Sequence, residues 1–278
     1  MGRWFADFLL DEGVDVIITG RDQKKLAETG HVLGATVASN EEAMKSADVV
    51  VISVPIDVFE EAVKQISPYA RAGQIVVDIT SVKVMPVDVM HRYLPNSLVL
   101  GTHPVFGPGA NNLSNENFVL TPTSADEEAL AEKVKKYLEE RGARVTSISP
   151  AEHDEMMAVV LGLAHFISIV SADTIAGAKR FPLLKAIGGT TYRVLLALVE
   201  SVISEDPKLY AAIQMAIPDM VKVEESFQRK ARQWAELVRE RDREGFINKM
   251  TAVSKKLEKA NPDFGKAYRN IYKIMEWL

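Results

Sequence analysis

The sequence predicts an α/β domain built on a doubly wound parallel sheet, followed by an all-helical domain. Seven short runs rich in valine and isoleucine occur before residue 150, and most are apolar on both faces. Strands buried between two layers of helices have this composition. Amphipathic helical patterns separate several of the runs, and strand signals almost vanish after residue 150. We therefore predict two domains, residues 1–150 and residues 151–278.

The predicted strands follow one another along the first domain. They are VDVIIT (14–19), ATVA (35–38), ADVVVIS (47–53), QIVVDI (74–79), LVLGT (98–102), NFVLTP (117–122) and RVTSI (144–148). Helical patterns lie between several of them, for example at 57–67 and 126–142. Alternation of strands and helices predicts a parallel, doubly wound sheet.

Long helical patterns fill the second domain. They cover residues 151–178, 190–204, 206–240, 243–259 and 263–278. Asp206 followed by Pro207 is a typical helix start, because a side-chain cap precedes a proline whose missing N–H is not needed there. One stripe of apolar residues recurs at spacings of three and four: Val223, Phe227, Ala231, Trp234 and Val238. The stripe indicates either core packing or the seam of a dimer.

Composition excludes several classes of function. The chain has 278 residues, a formal net charge of -5 and no block of basic residues, which argues against nucleic acid as a partner. Without cysteine it has no disulfide and no thiol nucleophile. We find no secretory signal and no apolar run near the roughly 20 residues of a membrane span, so a cytoplasmic location without membrane contact is expected. No histidine pair with a carboxylate has metal-ligand spacing, so no metal is predicted.

The first residues resemble part of a dinucleotide-binding unit. In such a unit a strand leads into G-x-G-x-x-G, and the last glycine lets the following helix pack closely on the sheet. With Gly2 as that last glycine, RWFADFLLDEG is the first helix. The expected fold is then Rossmann-like with its first strand apparently missing, whether through truncation, an internal start codon or true variation.

The end of the second strand bears on the choice of cofactor. An acidic residue there accepts hydrogen bonds from a ribose hydroxyl, whereas an arginine favours a 2'-phosphate. The sequence places Arg21 before Asp22, with Lys24 and Lys25 close behind. We therefore prefer NADP over NAD as the cofactor. The alternative is that these charges solvate a helix start which Asp22 caps, and Asp22 would also suit NAD.

Four further segments indicate a family. VVISVPIDVFEEAV, VVDITSVKVMPVDVM, GTHPVFGPG and AEHDEMMAVVLGLAHF occur in this order. Together they resemble prephenate dehydrogenase of tyrosine biosynthesis, particularly the archaeal type, over nearly the whole chain. The resemblance implies NAD(P)-dependent oxidative decarboxylation of prephenate to 4-hydroxyphenylpyruvate. It also implies a homodimer formed through the helical domain.

The resemblance assigns roles to residues of the first domain. His103 matches the catalytic histidine, which takes a proton from the ring hydroxyl. Ser81 matches a serine that hydrogen-bonds this histidine and the substrate. His103 follows a predicted strand at the carboxyl edge of the sheet, where ligands of doubly wound folds bind. The alternatives are a structural histidine bonded to a nearby backbone carbonyl and, for Ser81, a helix cap. The residues expected to contact the cofactor are Gly2, Arg21, Asp22, Ser53, Val54, Pro55 and Thr80.

Substrate binding is expected to involve cations, because prephenate carries two carboxylates. His165 matches a histidine that lines the substrate pocket, although a lone histidine on an apolar helix is more often a core residue. Arg193 matches the first of two cationic positions, but Ser201 stands where the family has a second arginine. Either Lys83 or an arginine from a partner subunit is expected to compensate for that loss. The remaining histidines, His31, His91 and His153, are predicted to lie at the surface.

Three alternatives stay open at this point. The enzyme could be an arogenate dehydrogenase, since arogenate differs from prephenate only in its side chain. It could be another Rossmann dehydrogenase with a helical C-terminal domain, although a catalytic lysine motif of the hydroxy-acid dehydrogenases is not found. The chain could also be a catalytically weak, dimeric binding protein.

Overall fold

A computed structural model describes residues 1–276 of the chain. The chain divides into two compact units. The first comprises residues 1–157 with 215–218, and the second comprises 158–214 with 219–278. The first unit contains all the strands of the described chain, and the second is helical.

Seven strands form the first unit, and each lies at a position predicted from the sequence. They are β1 (Ile17–Ile18), β2 (Thr36–Val37), β3 (Val49–Ile52), β4 (Ile75–Asp78), β5 (Leu98–Pro104), β6 (Asn117–Thr121) and β7 (Arg144–Ser147). Strands β1 and β2 pair with each other in parallel, and the other five form one sheet in the order β3-β4-β5-β6-β7.

One strand pairing differs from the predicted parallel sheet. Strands β5 and β6 are antiparallel, while β3–β4, β4–β5 and β6–β7 are parallel. The reason lies in the connection at residues 105–116, which contains no helix. A parallel neighbour requires a crossover, usually a helix, to carry the chain back to the start of the sheet. Without it, the chain turns back alongside β5.

Helices cover both faces of the larger sheet. The helices of this unit are α1 (Gly2–Asp11), α2 (Gln23–Leu33), α3 (Asn40–Ser46), α4 (Phe59–Ile66), α5 (Val84–Tyr93), α6 (Ala125–Glu139) and α7 (Pro150–Met157). Val99 packs in a core with Phe59 of α4 and Met90 of α5. The next residue, Leu100, packs in a second core with Leu130 of α6. Successive strand residues point to opposite faces, so the sheet is buried on both sides, as predicted.

The second unit is built from helices that follow a π-helical turn. Residues Ala158–Leu163 form this turn between α7 and α8. The helices are α8 (Ala164–Ala176), α9 (Phe181–Ile187), α10 (Thr190–Ile203), α11 (Pro207–Ala216), α12 (Met220–Arg239), α13 (Arg243–Ala260) and α14 (Ala267–Met275). Helix α9 was not predicted. The helix predicted over 206–240 is broken, because Pro218 removes a backbone donor and Asp219 adopts a φ of 60°.

The apolar stripe on α12 packs in part within its own unit. The Phe227 ring lies 6.1 Å from that of Phe166, and the Trp234 ring lies 4.9 Å from that of Phe246. Val238, at the end of the stripe, is 64% exposed. Core packing therefore explains the middle of the stripe, and its far end remains available for a partner.

One helical stretch is longer and more apolar than we expected from the sequence. Pro150–Ala176 is long and apolar enough to cross a membrane. Its most apolar 18 residues have a mean hydropathy of 1.8, and 22% of them are buried. This corrects the expectation that no apolar run approaches that length. Length and composition alone are weak evidence for a membrane span, since core helices of other proteins meet the same criterion.

Candidate active site

His103 lies near the carboxyl end of β5 and is 4% exposed. Its Nδ1 atom is 2.8 Å from Nε2 of His153, and the two rings meet edge to face. His153 is fully buried, so the prediction that it lies at the surface is wrong. Its position was not evident from the sequence, because its contact is 50 residues away along the chain. The capping pair Ser149 and Glu152 marks the start of α7 just before it, but it does not indicate which residues of the helix are buried.

Asp154 continues this chain of contacts. Its Oδ1 atom lies 2.7 Å from Nδ1 of His153 and accepts a 2.7 Å hydrogen bond from the backbone N–H of Lys83. Its Oδ2 atom accepts a 2.9 Å hydrogen bond from the backbone N–H of Val84. The carboxylate therefore caps the start of α5 and also ends a line of three side chains that leads to His103.

The electrostatics of the site keep His103 neutral at pH 7. Burial, the ammonium of Lys83 and the ring of His153 together hold the pKa of His103 well below its ordinary value of 6.5. In the described chain the Nε2 atom makes no hydrogen bond, since only Nδ1 is engaged. A neutral imidazole with one unengaged nitrogen is suited to accept a proton.

Lys83 is fully buried, and its ammonium is engaged by groups of the first unit. Its Nζ atom forms an ion pair with Asp78 and donates hydrogen bonds to Thr80 Oγ1 at 3.2 Å and the carbonyl of Thr102 at 2.6 Å. An ammonium has three donors, so these partners use all of them. Burial lowers the pKa of Lys83, while the carboxylates of Asp78 and Asp154 oppose that shift. The buried Asp78 requires a counter-ion, which Lys83 supplies, and the expected contact of Lys83 with a substrate carboxylate stays a prediction.

Two neighbouring predicted residues have different surroundings. Thr80 is 7% exposed, and both its backbone N–H and its hydroxyl contact Asp78, so it belongs to the Lys83 cluster. Ser81 is half-buried. Within residues 1–276 it makes no hydrogen bond to His103, contrary to expectation; there the His103 ring is hydrogen-bonded at Nδ1 to His153. Its expected contact with the substrate stays a prediction.

The predicted cofactor residues gather at the ends of β1 and β3. A Cβ atom on Gly2 would lie 3.0 Å from Oγ of Ser53, so α1 approaches the end of β3 as closely as the predicted glycine packing requires. Val54 packs against a core cluster, and Pro55 precedes a short 3₁₀ turn.

Asp22 forms a capping hydrogen bond, whereas Arg21 is exposed to solvent. Asp22 caps α2 by accepting a 3.1 Å hydrogen bond from the backbone N–H of Lys25. Arg21 is exposed and forms no ion pair in the part of the chain that the structure describes. The capping alternative for Asp22 is thus correct, and Arg21 is the more available of the two.

The predicted substrate residues of the second unit lie on separate helices. His165 on α8 contacts the ring of Tyr210 at 4.7 Å, its Nδ1 atom is enclosed without a hydrogen bond, and burial lowers its pKa. Arg193 is exposed near the start of α10. Ser201, farther along the same helix, donates a hydrogen bond to the carbonyl of Leu198. Their roles toward a substrate remain predictions.

Two histidines lie at the surface, and the possible metal ligands are not clustered in the described part of the chain. His91 is partly exposed and pairs with Glu127 at 2.7 Å, and His31 is exposed. Both positions agree with the predicted surface location. Among residues 1–276, no cluster of three or more histidines, aspartates or glutamates is arranged to hold a metal ion.

Substitution of Asp154 by alanine is expected to lower the free energy of unfolding by about 1–3 kcal/mol, because two backbone donors of α5 lose their buried acceptor. Asp154→Asn, which retains one acceptor oxygen, should lose less. Chemical denaturation with urea measures both changes. Equal stability of Asp154→Ala and the parent chain would show that the cap contributes nothing.

Comparison with known proteins identifies both parts of the chain. Residues 5–147 match the nucleotide-binding domain of prephenate dehydrogenase, and residues 149–252 match its dimerization domain. A probable arogenate/prephenate dehydrogenase from Methanocaldococcus jannaschii is 34% identical, over 92% of this chain and 58% of that protein. The T-protein of Enterobacter agglomerans is 29% identical, over 91% of this chain and 64% of that protein. The chain thus spans less than two thirds of the length of either relative.

Solved structures agree in fold. Prephenate dehydrogenase from A. aeolicus, in complex with hydroxyphenyl propionate and NAD+, superimposes with a TM-score of 0.77 at 23% identity, covering 94% of this chain and 95% of that one. Synechocystis arogenate dehydrogenase gives a TM-score of 0.72 at 18% identity, with 94% and 96% covered. These likenesses show a common architecture, a Rossmann-like domain followed by a helical one. With both domains matched, the chain belongs to the prephenate dehydrogenase family, as its sequence motifs indicated.

Proposed function

We propose that the protein catalyses the oxidative decarboxylation of prephenate to 4-hydroxyphenylpyruvate with a nicotinamide dinucleotide. The observation that carries this proposal is His103, a buried and neutral imidazole at the end of β5 whose Nε2 atom is not engaged. Ligands of doubly wound folds bind at this edge of the sheet. Membership of the prephenate dehydrogenase family supplies the class of reaction.

In the proposed reaction His103 takes up one proton and later returns it. Its Nε2 atom accepts the proton of the ring hydroxyl while hydride leaves the ring carbon that bears this hydroxyl. The bond between the ring and its carboxylate then breaks, its electron pair makes the ring aromatic, and carbon dioxide departs. The phenolate oxygen regains the proton from His103, so the reaction releases no net proton. A bound nicotinamide dinucleotide supplies the hydride acceptor.

The cofactor fits the residues at the ends of β1 and β3. The absence of a side chain at Gly2 leaves α1 in close approach to Ser53, which supports a helix N-terminus directed at a pyrophosphate. NADP is the preferred cofactor, because the guanidinium of Arg21 is exposed and Asp22 already caps a helix. NAD remains the alternative.

Arg21→Ala is expected to raise KM for NADP+ by about 10- to 100-fold, because charge-assisted hydrogen bonds to a phosphate contribute about 1.5–3 kcal/mol. KM for NAD+ should change little, since NAD+ lacks that phosphate. Steady-state kinetics with both cofactors measure the ratio, and Lys64→Ala, far along the sequence on α4, serves as the control. Equal effects on the two cofactors would exclude Arg21 as the phosphate ligand.

For substrate binding, Arg193 is proposed to hold one carboxylate through its two parallel N–H donors. The donors of Lys83 are engaged within the first unit, and its compensation for Ser201 stays a prediction. Arogenate is the second candidate substrate, because the archaeal relative is named for both compounds. Assays of prephenate and arogenate with NAD+ and NADP+ decide between them, with reduced nicotinamide measured together with 4-hydroxyphenylpyruvate from prephenate or tyrosine from arogenate. If neither compound supports reduction of either cofactor, the proposed function is wrong.

A homodimer is proposed to form through the helical unit. This unit leaves large apolar side chains exposed on several helices, including Val160, Leu198, Val221 and Val238. Exposed apolar surface of this extent is typical of association sites, and residues 149–252 match a dimerization domain. Light scattering is expected to give twice the 30.7 kDa chain mass, and a monomer at micromolar concentration would contradict the proposal.

A further inference from the structure

We propose that His153 is a positioning residue for the reaction: together with Asp154, it fixes which ring nitrogen of His103 carries the proton. The three side chains form one line, with contacts of 2.7 Å from Asp154 to His153 and 2.8 Å from His153 to His103. All three are buried, with exposures of 2%, 0% and 4%. The inference rests on the proposed function only for its kinetic consequence.

The direction of the hydrogen bonds follows from two backbone amides. The N–H groups of Lys83 and Val84 can only donate, so both oxygens of Asp154 act as acceptors and the group is a carboxylate. Its third partner, Nδ1 of His153, must therefore carry a proton and donate. In a neutral His153 the Nε2 atom is then an acceptor, and it accepts from Nδ1 of His103. That leaves the lone pair of His103 on Nε2.

This arrangement matters because the opposite one disables the base. If His103 carried its proton on Nε2, the nitrogen that faces away from His153 could not accept a proton from a substrate hydroxyl. A protonated His153 would have the same effect, since its Nε2 would donate to Nδ1 of His103. The charged groups around the pair are the ammonium of Lys83 and the carboxylates of Asp78 and Asp154. The ammonium of Lys83 disfavours a positive charge on His103.

The fold holds the line of side chains in place from both ends. His103 is fixed by pairing of β5 with β6, opposite Val119. His153 and Asp154 lie on α7, which Asp154 joins to the start of α5. Because the rings and the carboxylate are positioned by different elements, their alignment is a tertiary feature. A hydrogen-bond partner that orients a histidine and selects its tautomer commonly raises its effectiveness as a base or ligand.

Two substitutions separate positioning from packing. In His153→Gln, the amide N–H₂ faces the Asp154 carboxylate and the amide oxygen takes the place of Nε2, so an acceptor for His103 remains. In His153→Leu, a side chain of similar size offers no acceptor. We expect kcat for prephenate to fall about 100-fold in His153→Leu and much less in His153→Gln, a loss within the range of general base catalysis. KM should change little in both.

The decisive measurement does not depend on activity. Ring ¹⁵N chemical shifts from NMR distinguish a protonated imidazole nitrogen from an unprotonated one, and comparison with His103→Asn assigns the signals of this ring among five histidines. The parent chain and His153→Gln are expected to show a proton on Nδ1 of His103 and none on Nε2. His153→Leu is expected to lose that preference.

The outcomes discriminate clearly. A proton on Nε2 of His103 in the parent chain at neutral pH overturns the inference, and this result needs no variant to fold. An unchanged Nδ1 proton in a folded His153→Leu also overturns it. If the expected tautomers are found but prephenate and arogenate are not oxidised, the positioning by His153 stands and the proposed function fails.

Discussion

Substitution of His103 by asparagine is expected to reduce kcat for prephenate oxidation by about 10²- to 10⁴-fold, the usual contribution of a general base. Asparagine can place its amide N–H₂ near the position of Nδ1, so the hydrogen bond to His153 and the local packing are largely retained. It offers no titratable nitrogen in place of Nε2. The effect should fall on kcat, because the lost interaction forms as the proton is transferred.

Two controls give this experiment its meaning. His91→Asn removes a partly exposed histidine that pairs with Glu127, and it should leave kcat near the parent value. Affinity of His103→Asn for the dinucleotide, measured by fluorescence titration, should also be close to that of the parent chain. If a folded His103→Asn retained full kcat, proton transfer would have to be assigned to another group.

The lowered pKa of His103 also predicts a dependence on pH. An unfolded histidine titrates near 6.5, whereas burial, Lys83 and His153 lower the pKa of the folded one. Between these two values the unfolded chain binds more protons, so this residue's contribution to stability is complete above about pH 6.5 and is lost as pH falls toward the folded pKa. The pH profile of kcat/KM should likewise decline only below about 6.5. A decline centred above that pH would contradict the lowered pKa.

The positions of the strands could be predicted from local sequence patterns. Each of the seven strands coincides with a predicted run, and the signal has a clear cause in β4, β5 and β6, where most residues are buried because both faces of the sheet are covered. The antiparallel pairing of β6 did not follow, because strand direction depends on the connection and not on the strand. The break before α12 was detectable, since Pro218 lies inside the predicted helix.

The site was only partly predictable, for a related physical reason. The place of His103 near the end of β5 was predictable from its motif, and ligands of doubly wound folds bind at this edge of the sheet. His153 was misjudged, because its burial depends on His103 and on the start of α5, which are distant in sequence. The buried ion pair of Lys83 was not foreseen either. Its counter-ion Asp78 is five residues earlier, but that residue was read only as the end of a strand.

Lys83→Met is expected to have the largest effect on stability. The methionine fills a similar volume, but it leaves the fully buried carboxylate of Asp78 without its counter-ion. Removal of one partner from a buried ion pair typically lowers the free energy of unfolding by about 3–5 kcal/mol. Thr80 and the backbone N–H of Thr102 still donate to Asp78, so part of its solvation remains. Urea denaturation at pH 7 measures the loss.

The double variant Asp78→Asn/Lys83→Met tests the cause of that loss. Neutral asparagine needs no counter-ion, and its single amide oxygen still accepts from the N–H and hydroxyl of Thr80, so the double variant should be more stable than Lys83→Met alone. Lys45→Met, which breaks an exposed pair with Glu41, should leave the urea midpoint essentially unchanged. Loss of the Lys83 charge also removes one cause of the lowered pKa of His103, so the acid limb of kcat/KM should move to higher pH in both Lys83 variants. If Lys83→Met matched the parent chain in stability and pH profile, then the ion pair would neither stabilise the fold nor tune the base.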